Sequence, residues 1–281
     1  MGFKIRCLDR NAKLPDQSLL EGIERAIPYT TIQEVVAAHQ LPRQRCRKLS
    51  AETGLLMAVA MNLWARQSLG RVLIKLIKGF RFIWPDETVQ AATKGAISQL
   101  RYEVGAAPVV ELFHRVCVPM ATEETPGAFL CGYRMMAIDG TVEEVPDTPD
   151  NERVFGRSKG GRGHSAFPLV RGVYLMEVGT HGIVDAGFWP YRTNEQVGAR
   201  RVLRSVEDGM LVMWDRGLHS FDMVQHTLQR QAHFLGRVSA TVDLKPVRAL
   251  SDGSYRAFLR PSEYARRKRG ERILVRVIEY T

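Results

Sequence analysis

Two apolar runs in this chain each end on an aspartate at a turn. Leu211-Val-Met-Trp runs into Asp215, then Arg216 and Gly217; Tyr133-Arg-Met-Met-Ala-Ile runs into Asp139 and Gly140. A short apolar run bounded by turn residues reads as a buried strand, and open α/β sheets place their chemistry outside the carboxyl ends of strands. If the two strands are neighbours, about 4.8 Å apart, their carboxylates face one small volume. Paired carboxylates are hard oxygen ligands suited to Mg²⁺ or Mn²⁺, and such ions serve phosphodiester chemistry by activating the attacking oxygen and stabilising the leaving one. Asp139 and Asp215 are therefore candidate metal ligands and catalytic residues. Each has a plainer reading on its own, because an Asp before Gly often caps a backbone N–H of a turn. The recurrence of the form in a strongly basic chain favours the metal.

A second stretch, Phe155-Gly-Arg157-Ser-Lys159-Gly-Gly-Arg162-Gly163, is basic and rich in glycine, which permits close approach to phosphate groups. It is equally a solvated loop. Arg157, Lys159, Arg162 and Arg216 are the candidate phosphate contacts. The stretch lacks the Gly-Lys-Ser/Thr ending of a P-loop, which excludes an NTPase of that type despite the Walker-B-like run into Asp215. His164-Ser165 and His219-Ser220 lack a G-x-S-x-G elbow, and His114 and Cys117 read as one core helix face.

The 281 residues carry 40 Lys and Arg against 30 Asp and Glu, a net charge of +10 that points to a polyanionic partner. Nucleic acid is the leading reading, with a merely soluble basic protein or an anionic membrane surface as the others. Cys7, Cys46, Cys117 and Cys131 are scattered, without the spacing of a disulfide framework or a structural zinc, and read as reduced cytosolic thiols. The longest apolar run, 54–65, is short of the about 20 residues that span a bilayer, and the N-terminus has no apolar signal core.

The elements that must position these groups fall into two patterns. From Pro15 to Val118 apolar residues recur at helical spacing, predicting about six short helices: Asp16 or Ser18 caps the first, Thr30 or Thr31 the second, 51–66 and 69–80 follow, Pro85 opens one to Tyr102, and Ala107 opens the last. After the linker-like 122–127 the period changes. Strands are predicted at 133–141, 169–178, 182–191, 210–214 and 233–238, helices at 195–206 and 221–231, and a polar loop at 147–164. Short β segments follow at 247–250, 255–259 and 272–280. The expectation is a mixed α/β sheet preceded by a helical domain, divided as 1–121, 122–245 and 246–281.

Ala137-Ile-Asp139-Gly-Thr141, Phe188-Trp-Pro-Tyr-Arg-Thr-Asn-Glu195, Gly209-Met-Leu-Val-Met-Trp-Asp215-Arg-Gly217 and Ser251-Asp-Gly-Ser-Tyr255 resemble the IS4 family of DDE transposases. The helical front, with 96–108, resembles that family's N-terminal domain, so the likeness covers nearly the whole chain. The resemblance implies an RNase H-like mixed-sheet catalytic core, with Asp139 and Asp215 as its first two acids on adjacent central strands. It also implies a helical DNA-binding domain before the core and a β-rich insertion after its fifth strand. The activity implied is cut-and-paste DNA transposition with Mg²⁺ or Mn²⁺, on terminal inverted repeats and target duplex DNA, by a homodimer in a synaptic complex, in the cytoplasm of a bacterium at its nucleoid and without a membrane partner.

The family's third acid is a Glu in a Tyr-x2-Arg-x3-Glu-x6-Lys pattern. Tyr264, Arg267 and Glu271 meet its spacing, but position 278 is Ile, Gly270 disfavours a helix, and Ile273 to Ile278 is a β-branched run that places Glu271 in a turn. The expectation is accordingly an incomplete insertion and an incomplete site. The alternatives are a DNA-binding fragment that regulates without cutting, or an RNase H-like nuclease.

Overall fold

The computed structural model describes residues 15–41, 49–80, 92–160, 163–239, 242, 244–261 and 271–279. The chain divides into two compact units, 1–116 and 117–281. The first is helical among its described residues: α1 (Asp16–Ala26), α2 (Tyr29–Ala38), α3 (Ala51–Leu63), α4 (Leu69–Gly79), α5 (Lys94–Val104) and α6 (Ala107–Val116). Ser50, Ser68 and Thr93 cap α3, α4 and α5 by accepting the N–H of Thr53, Arg71 and Ala96. The first two helices start differently from the sequence expectation. Pro15 and Pro28 occupy the positions before α1 and α2, where a missing N–H is no loss. Asp16 is thereby free to accept the Trp64 indole N–H at 2.9 Å and to pair with Lys75 at 2.5 Å. Helix α5 begins at Lys94 rather than beside Pro85; residues 81–91 lie outside the described residues. Val35, Leu55, Ala60 and Val72 are wholly buried in the core of this unit. No described helix is long and apolar enough to cross a membrane.

The second unit is built on a mixed sheet. Its strands are β1 (Phe129–Leu130), β2 (Tyr133–Glu144), β5 (Leu169–Glu177), β6 (Ile183–Pro190), β7 (Met210–Trp214) and β8 (His233–Gly236), in the order β6-β5-β2-β7-β8 with β1 beside β2. β5 and β6 run antiparallel, whereas β2, β7 and β8 are parallel. Helix α8 (Glu195–Val202) with a 3₁₀ turn at 203–205, and helix α9 (Phe221–Gln229), supply the crossovers. Alternation along the strands sends Met136, Ile138, Val173, Leu175, Val212 and Trp214 into one core with Ala199, Val202, Met223 and Val224 of these helices. A three-stranded sheet, β9 (Pro246–Ala249), β10 (Tyr255–Leu259) and β11 (Ile273–Val277), adds Leu259, Ile273 and Val275 to that core.

The segment 147–164, predicted to be a polar loop, contains α7 (Pro149–Phe155) and a small hairpin of β3 (Lys159–Gly160) and β4 (Gly163–His164). Thr148 accepts the Asn151 N–H, Pro149 opens the helix, and Asp150 and Glu152 favour its N-terminal end. The division between the units falls before Met120 and Ala121 because their N–H groups donate to Glu177 of β5, at 3.1 and 2.9 Å.

Two buried carboxylates pin the sheet. Glu177 also accepts the Thr180 hydroxyl at 2.6 Å and pairs with Arg134. Asp185 takes both forks of Arg204, at 2.8 and 2.9 Å, and the Ser205 hydroxyl at 2.7 Å. Burial raises both pKa values, but the donors outweigh it and hold each below the usual carboxylate range. A folded-state pKa below the unfolded one contributes stability above the unfolded pKa, and that stability is lost as pH falls through the folded value. Hydrogen exchange of the β2 and β5 amides should therefore show the sheet weakening as pH falls through and below the usual carboxylate range. Glu177→Gln or Asp185→Asn should cost about 2 kcal/mol at neutral pH and flatten that dependence.

Candidate active site

The parallel pairing of β2 with β7 matches Met136 to Val212, Ala137 to Met213 and Ile138 to Trp214. The next residues along the chain are Asp139 and Asp215. Residues level with one another on neighbouring strands share a sheet face. Ile138 and Trp214 turn into the core; Asp139, the next residue of β2, turns to the opposite face, Asp215 is the first residue past β7, and both aspartates are exposed. The structure thus sets the two acids on neighbouring central elements, Asp139 within β2 and Asp215 directly after the last residue of β7.

Their local roles differ. Asp139 is a strand residue whose Oδ1 accepts the Gly140 N–H at 2.9 Å. Its antiparallel partner on β5 is Tyr174, whose hydroxyl donates to Glu143 at 2.7 Å. Burial first, then the Glu143 charge and hydrogen bond, push the Tyr174 phenol up to about 12, keeping it protonated. Asp215 begins the turn out of β7, its Oδ1 accepting N–H groups of Gly217 at 2.9 Å and Leu218 at 3.2 Å. It therefore does what the plainer reading proposed, on one oxygen, leaving Oδ2 for another ligand.

The rest of the Asp215 stretch locks that turn in place. Leu218 is buried, and Ser220 caps α9 through the Met223 N–H. His219 accepts the Trp214 indole N–H at Nδ1, 3.5 Å away. Burial pushes the His219 pKa down, so the ring is neutral near pH 7.

A third acidic side chain approaches from the other side of the sheet. Glu195, first residue of α8, lies over Gly140: a Cβ there would stand 2.1 Å from Glu195 Oε1. Arg171 of β5 reaches Glu195 at 3.6 Å. The neighbouring Gln196 donates its side-chain amide to the Gly217 carbonyl at 3.2 Å. The sequence reading assigns no role to Arg171, Glu195 or Gln196; the available signal is Asn194, which caps α8 and fixes the next two residues in its first turn.

The basic candidates separate. The Arg157 guanidinium faces the fold: it pairs with Asp147 at 2.5 Å and Glu152 at 3.1 Å, and donates to the carbonyls of Ser165, at 3.0 Å, and Ala166. This corrects the expectation of a phosphate contact, because α7 and the segment after β4 supply acceptors that the loop reading did not foresee. Lys159 and Arg216 are exposed. Arg162 lies outside the described residues. Glu271 precedes β11 and accepts the Gln225 amide of α9 at 3.1 Å. Among the described residues no three His, Cys, Asp or Glu side chains stand close enough to hold a metal ion together.

Comparison with known proteins places this architecture. Residues 17–114, most of the helical unit, match the family model of the insertion element 4 transposase N-terminal region. Over 230 residues the chain is 25% identical to transposase InsG for insertion sequence element IS4 of Escherichia coli K12, covering 80% of this chain and 50% of that one. It is 31% identical over 132 residues to the putative transposase InsZ of the same organism, covering 47% of this chain and 44% of the relative. A structural similarity to the piggyBac transposase in a synaptic complex with hairpin DNA, at 14% identity and TM-score 0.35, covers 89% of this chain and 59% of that one and is too loose to carry weight. These matches are to transposases of insertion sequences, and the IS4-type N-terminal region is matched within the helical unit. The chain spans about half the length of the curated relatives it matches.

The turn chemistry at Asp215 separates acceptor from charge. Asp215→Asn keeps an acceptor for Gly217 and Leu218 and should cost under about 0.5 kcal/mol in urea unfolding, whereas Asp215→Ala should cost about 1–1.5 kcal/mol. Equal costs would mean that the turn does not depend on the side chain.

Proposed function

We propose that this chain carries the cutting and joining chemistry of an IS4-type element, as a metal-dependent cut-and-paste DNA transposase of RNase H-like fold. The observation that supports it most is the β2–β7 register, which pairs Ile138 with Trp214, the residues directly before exposed Asp139 and Asp215. The sheet order β6-β5-β2-β7-β8, with its two parallel crossovers through α8 and α9, supports the fold reading.

Two carboxylates and open surroundings fit Mg²⁺ or Mn²⁺, since Mg²⁺ is commonly held by one or two protein carboxylates with water and substrate phosphate completing its shell. Asp139 and Asp215 would hold the ion. When bound, it supplies an activated water or 3′-hydroxyl oxygen and charge neutralisation at the leaving oxygen. The chain's own part is to hold both carboxylates on neighbouring elements, with Asp215 oriented by the Gly217 and Leu218 N–H groups. Exposed Lys159 and Arg216 contact the phosphate backbone of the terminal repeats and target duplex, and pairing of two element ends brings two copies together.

A second reading, a DNA-binding regulator that does not cut, is favoured by one observation: no third acid joins the pair among the described residues, and Glu271 is hydrogen-bonded to α9 instead. Terminal-repeat duplex incubated with Mg²⁺ separates the two. The transposase reading expects strand nicks at the repeat ends, reduced at least about 100-fold in Asp139→Asn and Asp215→Asn. Binding without nicking supports the regulator.

Duplex affinity should fall steeply with salt. Replacing Lys159 and Arg216 together by Ala should lower the slope of log affinity against log salt by about 2. Arg157→Ala should instead reduce thermal stability. An unchanged slope in the double variant assigns the phosphate contacts elsewhere.

A further inference from the structure

The first turn of α8 touches β2 next to Asp139 and the turn that Asp215 opens. Glu195 lies on Gly140, the residue after Asp139, so closely that a Cβ there would displace its carboxylate. It acts from the core side, whereas Asp139 faces the other way, so the contact reaches the carboxylate through the backbone of Gly140. Arg171 holds Glu195 from β5 at 3.6 Å. Gln196, one residue on, donates to the Gly217 carbonyl at 3.2 Å, while the Gly217 N–H donates to Asp215 at 2.9 Å. Gly217 is therefore held from both ends. A glycine released from either partner has a wide choice of backbone conformations, and the Asp215 carboxylate would lose its orientation with it.

We propose that Glu195 and Gln196 are positioning residues that hold β2 at Gly140 and the turn after β7 at Gly217, and so fix the spacing of Asp139 and Asp215. The proposal rests on reading that pair as a divalent-cation site. Neither residue touches the ion; Glu195 acts through Gly140, and Gln196 through Gly217. Groups that orient metal ligands in this way change affinity by about 10–100-fold when removed.

Mn²⁺ binding to the whole chain, followed by electron paramagnetic resonance, is the direct test. Asp139→Asn establishes whether the pair binds the ion. Gln196→Met keeps length and packing but has no donor, and is expected to weaken Mn²⁺ binding by about 10–100-fold. Glu195→Ala and Gly140→Ala should each weaken it, and the double variant should lose no more than the worse single, because both remove one contact. Hydrogen exchange gives a readout that general instability would not: in Gln196→Met the amides of Gly217 and Leu218 should exchange about tenfold faster, with those of β2 and β5 unchanged. The proposal is overturned if Asp139→Asn loses Mn²⁺ while Gln196→Met binds as the unaltered chain does, or if exchange accelerates uniformly across the sheet. If Asp139→Asn binds Mn²⁺ unchanged, the cation reading fails and the clamp falls with it.

Discussion

The register between two parallel strands is the constraint on which the rest of this structure depends. Ile138 stands level with Trp214, and the side-chain period of a strand is two, so a slip of one residue in β7 would set Asp139 beside Trp214 or Arg216 and turn Asp215 toward the helices. The slip is opposed by burial. Met136, Ile138, Val212 and Trp214 are each at most 5% exposed, and a one-residue shift would exchange the apolar row of β7 for the half-exposed Leu211 and Met213 and bring a carboxylate inside. Gly209, with φ +78°, makes the turn that starts β7, and its carbonyl accepts the Arg134 N–H at 2.9 Å, which pins the register at its first residue.

The chain keeps its buried and exposed acids for different work. Glu177 and Asp185 are on the core side, each met by several donors, and their charges are satisfied inside the fold. Asp139 and Asp215 are exposed, and among the described residues short-range backbone N–H groups donate to them. That division separates acids that hold the sheet from the acids for which a cation is proposed. The helix α8 joins the two sides: its apolar residues Ala199 and Val202 fill the core, and its first turn reaches Gly140 of β2 and Gly217 in the turn after β7.

Much of this was legible in the residues. The strands leading into Asp139 and Asp215 were readable because each is a local apolar run, and β7 and β10 have the bounds that their patterns predict, whereas β2 does not stop at its Asp-Gly but pairs with β5 as far as Glu144. The helical front was readable from its apolar spacing. What escaped is set by partners distant in sequence. Helix α7 reads as loop because it is short, opens on Pro149, carries the polar run Asp150 to Arg153 and stops at Gly156; its Thr148 cap and its pairing of Glu152 with Arg157 become visible only in the fold. Arg157 reads as a phosphate ligand by composition, yet Asp147 and the carbonyls near 165 claim it. The role of Gly140 as a seat for Glu195, 55 residues later, has no local signal at all.

The central claim is that Asp139 and Asp215 act on one cation. Anomalous diffraction at the manganese edge, from crystals of the whole chain soaked in Mn²⁺, tests it directly. The account predicts a peak within about 2.0–2.5 Å of an oxygen of each carboxylate. A well-ordered site with no peak between them, or a peak bound to one aspartate and not the other, would contradict it.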